Sequence, residues 1–241
     1  MRTILRRGFF LVFFAINLMA QTAPSYRFDG GWPKLPLPNK WTFGGVTGLT
    51  VGKDDVVWVL HRPNDLNQSQ NYATLTPPTA ECCVKGPAVL AFDTDNLEQA
   101  TRRPAEFHAP DAFEVQSGQP TGLAISPDGS RIYVSVNGTS QILTFDANAI
   151  ISGPQTPAIN LNCQPNALAL TPDGARAIVA GTVASGGVTP GIVSIVNLAT
   201  QSSIDLPTDG TPSAVVISAD GKRAFVEETT AKARMWIRRT S

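Results

Sequence analysis

The stretch QPTGLAISPDGSRIYVSVNGTSQILTFD, residues 119–146, decides the fold. Its first two β-prone runs, 123–126 and 131–136, are separated by Pro-Asp-Gly, in which proline presets φ for a turn and glycine supplies the positive φ that reverses the chain. Asn137-Gly138 adds a second tight turn into a third β-prone run. The stretch therefore predicts three consecutive antiparallel strands, and the residues before the next copy of the pattern leave room for a fourth.

The same sequence pattern occurs three times in the chain. The copies are QPTGLAISPDGSRIYVSVNGTSQILTFD, QPNALALTPDGARAIVAGT and TPSAVVISADGKRAFVEET, which begin at Gln119, Gln164 and Thr211. A degenerate fourth copy, GGVTGLTVGKDDVVWVL at residues 44–60, aligns its Gly-Leu and Asp-Asp pairs with the Gly-Leu and Asp-Gly pairs of the clearest copy. Self-similarity at a fixed period indicates a repeat architecture.

The repeat length predicts the fold class. One four-stranded antiparallel sheet cannot bury both of its faces, and repeats of about 40 to 45 residues are typical of β-propeller blades. We therefore expect an all-β protein, a β-propeller of about four antiparallel four-stranded blades, either a small closed ring or an incomplete, shortened propeller. After a leader at residues 1–20, a single domain would occupy 21–241. Its expected blades are 41–118, 119–163, 164–210 and 211–241, with residues 26–28 closing the last blade.

Two family resemblances can be read from these residues. The three clear copies resemble the bacterial YVTN-type β-propeller repeat over residues 119–228. The upstream segments GGWPKLPLP, GGVTGLTVGKDDVVWVLHRP and GPAVLAFD resemble the opening of NHL-repeat propellers, in particular the peptidyl-α-hydroxyglycine α-amidating lyase group. The second resemblance implies a cavity on the propeller axis, substrate at the arginine of the motif, zinc on three histidines, and an assisting tyrosine.

Position by position, only Arg62 carries over from the lyase motif as a catalytic candidate. His61 matches the histidine of the motif, but the chain has two histidines in all, His61 and His108, so a three-histidine zinc site cannot be built. Where the lyase family places a metal-binding histidine before Gly-Leu, this chain has Pro120-Thr121. We expect His108 to be a surface or hydrogen-bonded residue, and we expect no metal and no cofactor, with zinc or calcium as the alternatives.

A 26-residue insertion interrupts the first blade between its second and third strands. It reads HRPNDLNQSQNYATLTPPTAECCVKG, residues 61–86, and we expect it to cover part of one mouth of the ring. Because propellers place ligands on blade-top loops, the predicted ligand-binding residues are Arg62, His61 and Tyr72.

A structural interpretation of the same residues stays open. His61 would then begin a loop and pack its ring on Trp58 or Pro63. Arg62 would cap strand-end carbonyls or pair with a nearby acid. The acids within reach in sequence are Asp54, Asp55 and Asp65.

The three cysteines allow several pairings. Cys82 and Cys83 are adjacent and Cys163 stands alone before the third repeat. A disulfide between the neighbours would form a tight turn, whereas pairing of either with Cys163 would join the insertion to another blade. In an exported chain an odd count leaves at least one thiol free or paired between molecules.

The N-terminal residues predict export. Three arginines precede an apolar run, 8–18, that ends near the small residue Ala20, which is typical of a secretory signal peptide. The pair Arg6-Arg7 before Phe9 and Phe10 also fits a twin-arginine signal, and an uncleaved membrane anchor is the alternative to cleavage. We expect a periplasmic or extracellular protein without a membrane span in the mature chain.

Composition and motifs narrow the classes of partner and of catalytic site that the chain can have. A net charge of +0 and a pI near 6.7 provide no basic footprint for nucleic acid. No G-x-S-x-G elbow or phosphate loop occurs, and Asp128, Asp173 and Asp220 each have a structural task in an Asp-Gly turn.

Three function hypotheses follow. The first is an exported, non-catalytic binding scaffold for a protein, peptide or glycan. The second is an amidating-lyase-like enzyme with Arg62 at the axial site. The third is a shortened propeller that completes its ring by self-association.

Overall fold

The computed structural model describes residues 37, 40–52, 55–63, 65, 83–92, 118–147, 155–183, 191–229 and 234–238. The regular elements of these ranges are sixteen β-strands, so the all-β prediction is confirmed. The predicted closing strand at residues 26–28 lies outside the described residues.

The first sheet is built from the degenerate repeat. Its strands β2, β3 and β5 pair antiparallel in that order, and β1 and β4 form a separate parallel pair beside them. The bounds are β1 Trp41–Thr42, β2 Gly45–Val51, β3 Val57–Arg62, β4 Val84–Lys85 and β5 Val89–Phe92.

The three clear repeats form the second, third and fourth sheets. Each is an antiparallel meander in chain order, with four strands in the second and third sheets and three described strands in the fourth. The second sheet contains β6 Gln119–Ile125, β7 Arg131–Asn137, β8 Gln141–Asp146 and β9 Gln155–Asn160. The third contains β10 Gln164–Leu170, β11 Arg176–Thr182, β12 Gly191–Asn197 and β13 Ser203–Thr208. The fourth contains β14 Pro212–Ile217, β15 Arg223–Glu228 and β16 Arg234–Arg238.

In the second, third and fourth sheets, the turn between the first two strands follows the Asp-Gly chemistry read from the sequence. Gly129 has a φ of 75°, and the Asp128 carboxylate accepts a hydrogen bond from the Ser130 N–H at 3.0 Å. The same bond recurs at Asp173 and at Asp220, again at 3.0 Å. Each aspartate therefore holds its own turn.

Side chains alternate between the two faces of each sheet, and at the three described junctions one face of a sheet packs on the next sheet. We call the face toward the preceding sheet the leading face and the face toward the following sheet the trailing face. Ile132 lies on the leading face of the second sheet and packs in one core cluster with Trp58 and Leu60. Tyr133 lies on the trailing face and packs with Leu168 of the third sheet.

The sheets follow one another in series through their first strands. Strand β2 contacts β6, β6 contacts β10, and β10 contacts β14. The approach is close: a Cβ at Gly122 in β6 would lie 2.8 Å from the Leu168 backbone nitrogen in β10. Between the described strands of the first and fourth sheets, β2 and β14 make no comparable contact.

Strand pairing fixes which positions of the first sheet match those of the second. Leu49 pairs with Val59 as Leu123 pairs with Val134, and Gly48 pairs with Leu60 as Gly122 pairs with Ser135. Strand β3 therefore matches β7, as the repeat alignment predicts. The shared register makes the ends of these strands comparable from sheet to sheet.

Candidate functional site

The end of β3 carries two of the predicted site residues. The expectation that His61 begins a loop is wrong, because the strand continues through Arg62: His61 is opposite Val46 and Arg62 is opposite Gly45 in the ladder with β2. The ring of His61 packs edge-on against Phe43, with centroids 5.3 Å apart and planes at 89°, and this replaces the expected packing on Trp58 or Pro63.

His61 is a fully buried residue with both ring nitrogens hydrogen-bonded to backbone. The Gly44 N–H donates to Nδ1 at 3.2 Å, so Nδ1 is an acceptor and the proton lies on Nε2, which donates to the Pro87 carbonyl at 2.7 Å. Burial lowers its pKa from 6.5 to about 4, and the bond to Pro87 opposes this only in part. The ring is neutral and joins the segment before β2 to the segment before β5.

Arg62 lies beside His61 but on the other face of β3, and its side chain is 30% exposed. Its Nε is buried and has no hydrogen-bond partner among the described residues. One terminal nitrogen lies 3.9 Å from the Asp65 carboxylate, a long pair whose partner is 64% exposed. Such a pair contributes little stability. Arg62 therefore carries an unsatisfied buried donor beside a partly solvated charge.

The matching residue in the second sheet shows what this position contacts. Asn137 pairs with Gln119 as Arg62 pairs with Gly45, and its side-chain amide donates to the Pro165 carbonyl of the third sheet at 3.2 Å. By the same register, the Arg62 side chain is directed toward the junction of the first and second sheets. The insertion that begins after β3 enters the chain at this end of the blade.

At each of the three described junctions between sheets, a hydrogen bond crosses from one sheet to the next at the same end of the strands as Arg62. It starts from the bulged residue of a first strand and ends on a backbone carbonyl of the next first strand. We call these the seam hydrogen bonds: Thr47 to Pro120 at 3.1 Å, Thr121 to Pro165 at 2.9 Å, and Asn166 to Pro212 at 2.9 Å. The sequence reasoning missed them, although the short polar residue that follows the proline of each clear repeat was a usable signal.

The remaining predicted residues are described only in part. Tyr72, His108 and Cys82 lie outside the described residues. Cys83 is disulfide-bonded, whereas Cys163 is a buried free thiol, 3.7 Å from the Ser194 hydroxyl. Pairing of Cys163 with the insertion is therefore not formed, and burial raises the pKa of its thiol.

The described residues do not fit the zinc site that the lyase resemblance implies. Both nitrogens of His61 are already engaged by backbone groups. In the part of the chain that the structure describes, no three His, Cys, Asp or Glu side chains are grouped as metal ligands. We therefore derive no zinc chemistry for this end of the blades.

We compared the chain with protein families, curated proteins and solved structures. No protein-family model matches the chain, and no curated protein matches it. A hydrazine synthase from Kuenenia stuttgartiensis is similar in structure, with 17% identity, a TM-score of 0.51, and 81% of this chain and 50% of that chain covered. The successive antiparallel sheets described above are the blades of a β-propeller.

Two further solved structures were also found. A functionally unknown protein from Desulfotomaculum acetoxidans DSM 771 has 14% identity and a TM-score of 0.49, with 80% of this chain and 55% of that chain covered. The Cps50 (Swd1) β-propeller domain from Myceliophteria thermophila has 10% identity and a TM-score of 0.48, with 84% and 54% covered. The chain spans about half the length of the structures it matches.

No helix in the described part of the chain has the length and apolar character needed to cross a membrane.

Proposed function

We propose that this protein is an exported, non-catalytic propeller scaffold that binds a partner through Arg62 at the insertion end of the blades. The observation that carries the proposal is the buried Nε of Arg62, which has no acceptor among the described residues. A buried donor without a partner costs about 1 to 3 kcal/mol, so this arginine is not placed here for stability. The part of its side chain that is 30% exposed is what a ligand acceptor would reach. The N-terminal signal pattern supports export.

The chemistry of arginine selects the partner. A guanidinium donates and never accepts, and its planar fork matches a carboxylate. Asp65 neutralises the charge weakly at 3.9 Å and from a largely solvated position, so a ligand carboxylate can displace it. A peptide or protein that presents a carboxylate suits this arrangement better than a neutral glycan.

The rest of the site is suited to holding this arginine in place. His61 joins the backbone on both sides of β3, and the seam hydrogen bond from Thr47 fixes the first sheet against the second. A ligand that contacts Arg62 would therefore meet a side chain whose backbone is held by a sheet on one side and a buried ring on the other. Rigid presentation lowers the entropic cost of binding.

A peptide-binding measurement tests the proposal. Fluorescently labelled pentapeptides of mixed sequence, ending in a free carboxylate or in an amide, would be titrated with the purified full chain. We expect the carboxylate peptides to bind more tightly, and Arg62→Ala to weaken them about tenfold. Arg131→Ala, an exposed arginine at the opposite end of a blade, is the matched control. Equal binding by wild type and Arg62→Ala would refute the proposal.

The amidating-lyase alternative shares Arg62 with the scaffold proposal but not the zinc site. Its test is turnover of a peptide ending in α-hydroxyglycine, with zinc measured in the purified protein. Formation of the amidated peptide, lost in Arg62→Ala, would replace the scaffold proposal with the enzyme.

A further inference from the structure

The first and fourth sheets each expose an apolar face. On the trailing face of the fourth sheet, Val216 is 64% exposed and Phe225, its partner in the ladder, is 44% exposed. On the leading face of the first sheet, Leu49 is 61% exposed and Val51 is 58% exposed. At the junctions between the other sheets, the matching large side chains are buried, as Leu123 and Ile178 are, or half-buried, as Ile125 is.

The two exposed faces are the two halves of one junction. By the repeat register, Leu49 and Val51 match Leu123 and Ile125, which pack against the first sheet. Val216 and Phe225 match Ala169 and Ile178 of the third sheet, and Ile178 packs against the fourth sheet. The last trailing face is therefore built to receive a leading face, and the first leading face to receive a trailing one.

The seam hydrogen bonds also indicate that the fourth sheet lacks a described partner and that the first sheet has a matching acceptor. Thr47, Thr121 and Asn166 each reach the next sheet, and Ser213 is the fourth residue at that bulged position. No described sheet follows the fourth, and the exposed Ser213 hydroxyl contacts Glu227 of its own sheet, 3.2 Å from the carboxylate. The acceptor that matches the three proline carbonyls on the first sheet is the carbonyl of Val46.

We propose that a second copy of this chain docks head to tail, the fourth sheet of each copy against the first sheet of the other. Val216 and Phe225 would cover Leu49 and Val51, and the Ser213 hydroxyl would donate to the Val46 carbonyl of the partner copy. Two identical seams form together and close the ring. Four sheets from each copy give eight, the upper end of the usual range of four to eight blades, whereas three copies would exceed it.

The N-terminal segment limits how far the copies overlap. Leu37, Trp41 and Phe43 pack over Val59 and Phe92 on the outer part of the first leading face. Among the described residues of the first sheet, the large exposed apolar side chains all lie in β2, the first strand. The docking surface is therefore the inner part of each face, where the three described junctions also carry their seam hydrogen bonds.

Mass measurement of the purified full chain tests this assembly, and it needs no ligand and does not depend on Arg62. We expect light scattering to give the mass of two chains at micromolar concentration. Leu49→Arg and Val216→Asp should each give the mass of one chain, because every seam contains both faces. Ile204→Asp changes a residue of the third sheet that is 66% exposed and should leave the pair intact. A single-chain mass for wild type at all concentrations up to 100 µM would overturn the proposal.

Mixing the two disrupted variants distinguishes head-to-tail docking from a symmetric contact. The Leu49→Arg and Val216→Asp chains together form one unchanged seam and one seam with opposite introduced charges, so the two-chain mass should return. If two copies met through the same face, only one of these variants would dissociate and mixing would restore nothing. That outcome would contradict the proposed orientation.

A cross-link separates docking between chains from closure within one chain. In the double variant Val46→Cys, Ser213→Cys, oxidation should yield a covalent two-chain species that reduction converts to single chains. A single chain with an internal cross-link would show that the first and fourth sheets of one copy meet, and would overturn the proposal. The single-cysteine variants serve as controls for nonspecific oxidation.

Discussion

The Thr121 hydroxyl donates a hydrogen bond to the Pro165 carbonyl at 2.9 Å, and this bond joins the second sheet to the third. The same carbonyl also accepts the Asn137 amide at 3.2 Å. Two donors from one sheet thus converge on one backbone atom of the next. The junction is held by directional polar contacts at one end and by apolar packing along its length.

Replacing Thr121 should weaken that junction. Thr121→Val keeps the shape and removes the hydroxyl, so we expect the free energy of unfolding to fall by about 1 kcal/mol, measured in urea. Thr121→Ser retains the donor and is the control. If the valine variant were as stable as the serine variant, the seam hydrogen bond would contribute nothing.

Replacing Glu228 should raise the stability of the protein. It is 3% exposed, and neither carboxylate oxygen has a hydrogen-bond partner within the described ranges. The matching residue of the second sheet is Val136, which is fully buried. Glu228→Val should therefore stabilise the protein by about 1 to 3 kcal/mol. Its exposed neighbour provides the control, since Glu227→Val should change stability by less than about 0.5 kcal/mol.

The buried histidine should make stability depend on pH. Because burial lowers the pKa of His61 to about 4, the unfolded chain takes up this proton first as the pH falls. The contribution is fully present above pH 6.5 and is lost as the pH falls toward 4. Relative to His61→Gln, which cannot titrate, wild type should lose about 3 kcal/mol over that interval. Unfolding in urea at several pH values measures it, and a constant difference would contradict the assignment.

The free thiol should be unreactive while the protein is folded. Cys163 is 2% exposed, and burial raises the pKa of its thiol, so little thiolate forms and reagents cannot reach it. Iodoacetamide at pH 8 should label it only after denaturation, as located by peptide mass mapping. Rapid labelling of Cys163 in the native protein would mean that the junction between the second and third sheets opens.

The parts of the fold that depend on local chemistry could be predicted from the sequence. Asp128 and Gly129 define a turn by themselves, because the carboxylate bonds two residues onward and glycine tolerates a φ of 75°. Three copies of such a turn at a regular spacing were enough to indicate blades. Local turn chemistry and repetition need no knowledge of what lies across the sheet.

The site could be predicted only in part, for the opposite reason. The His-Arg-Pro sequence suggested that the strand ends at Leu60, because a buried strand rarely contains a histidine. His61 is accommodated because Gly44 and Pro87, distant in sequence, satisfy its two nitrogens. The seam hydrogen bonds were missed because their acceptors are backbone carbonyls, which leave no mark in the sequence.

Those acceptors have a consequence for how such a protein can evolve. Every residue has a backbone carbonyl. A seam hydrogen bond therefore requires only one short polar side chain on the donating repeat, such as Thr47, Thr121 or Asn166. As far as this bond is concerned, any repeat can then stand next to any other without a matched pair of substitutions. Duplication, loss or exchange of whole repeats therefore leaves each new junction with its polar contact, and a change in the number of blades needs no compensating substitution for that contact.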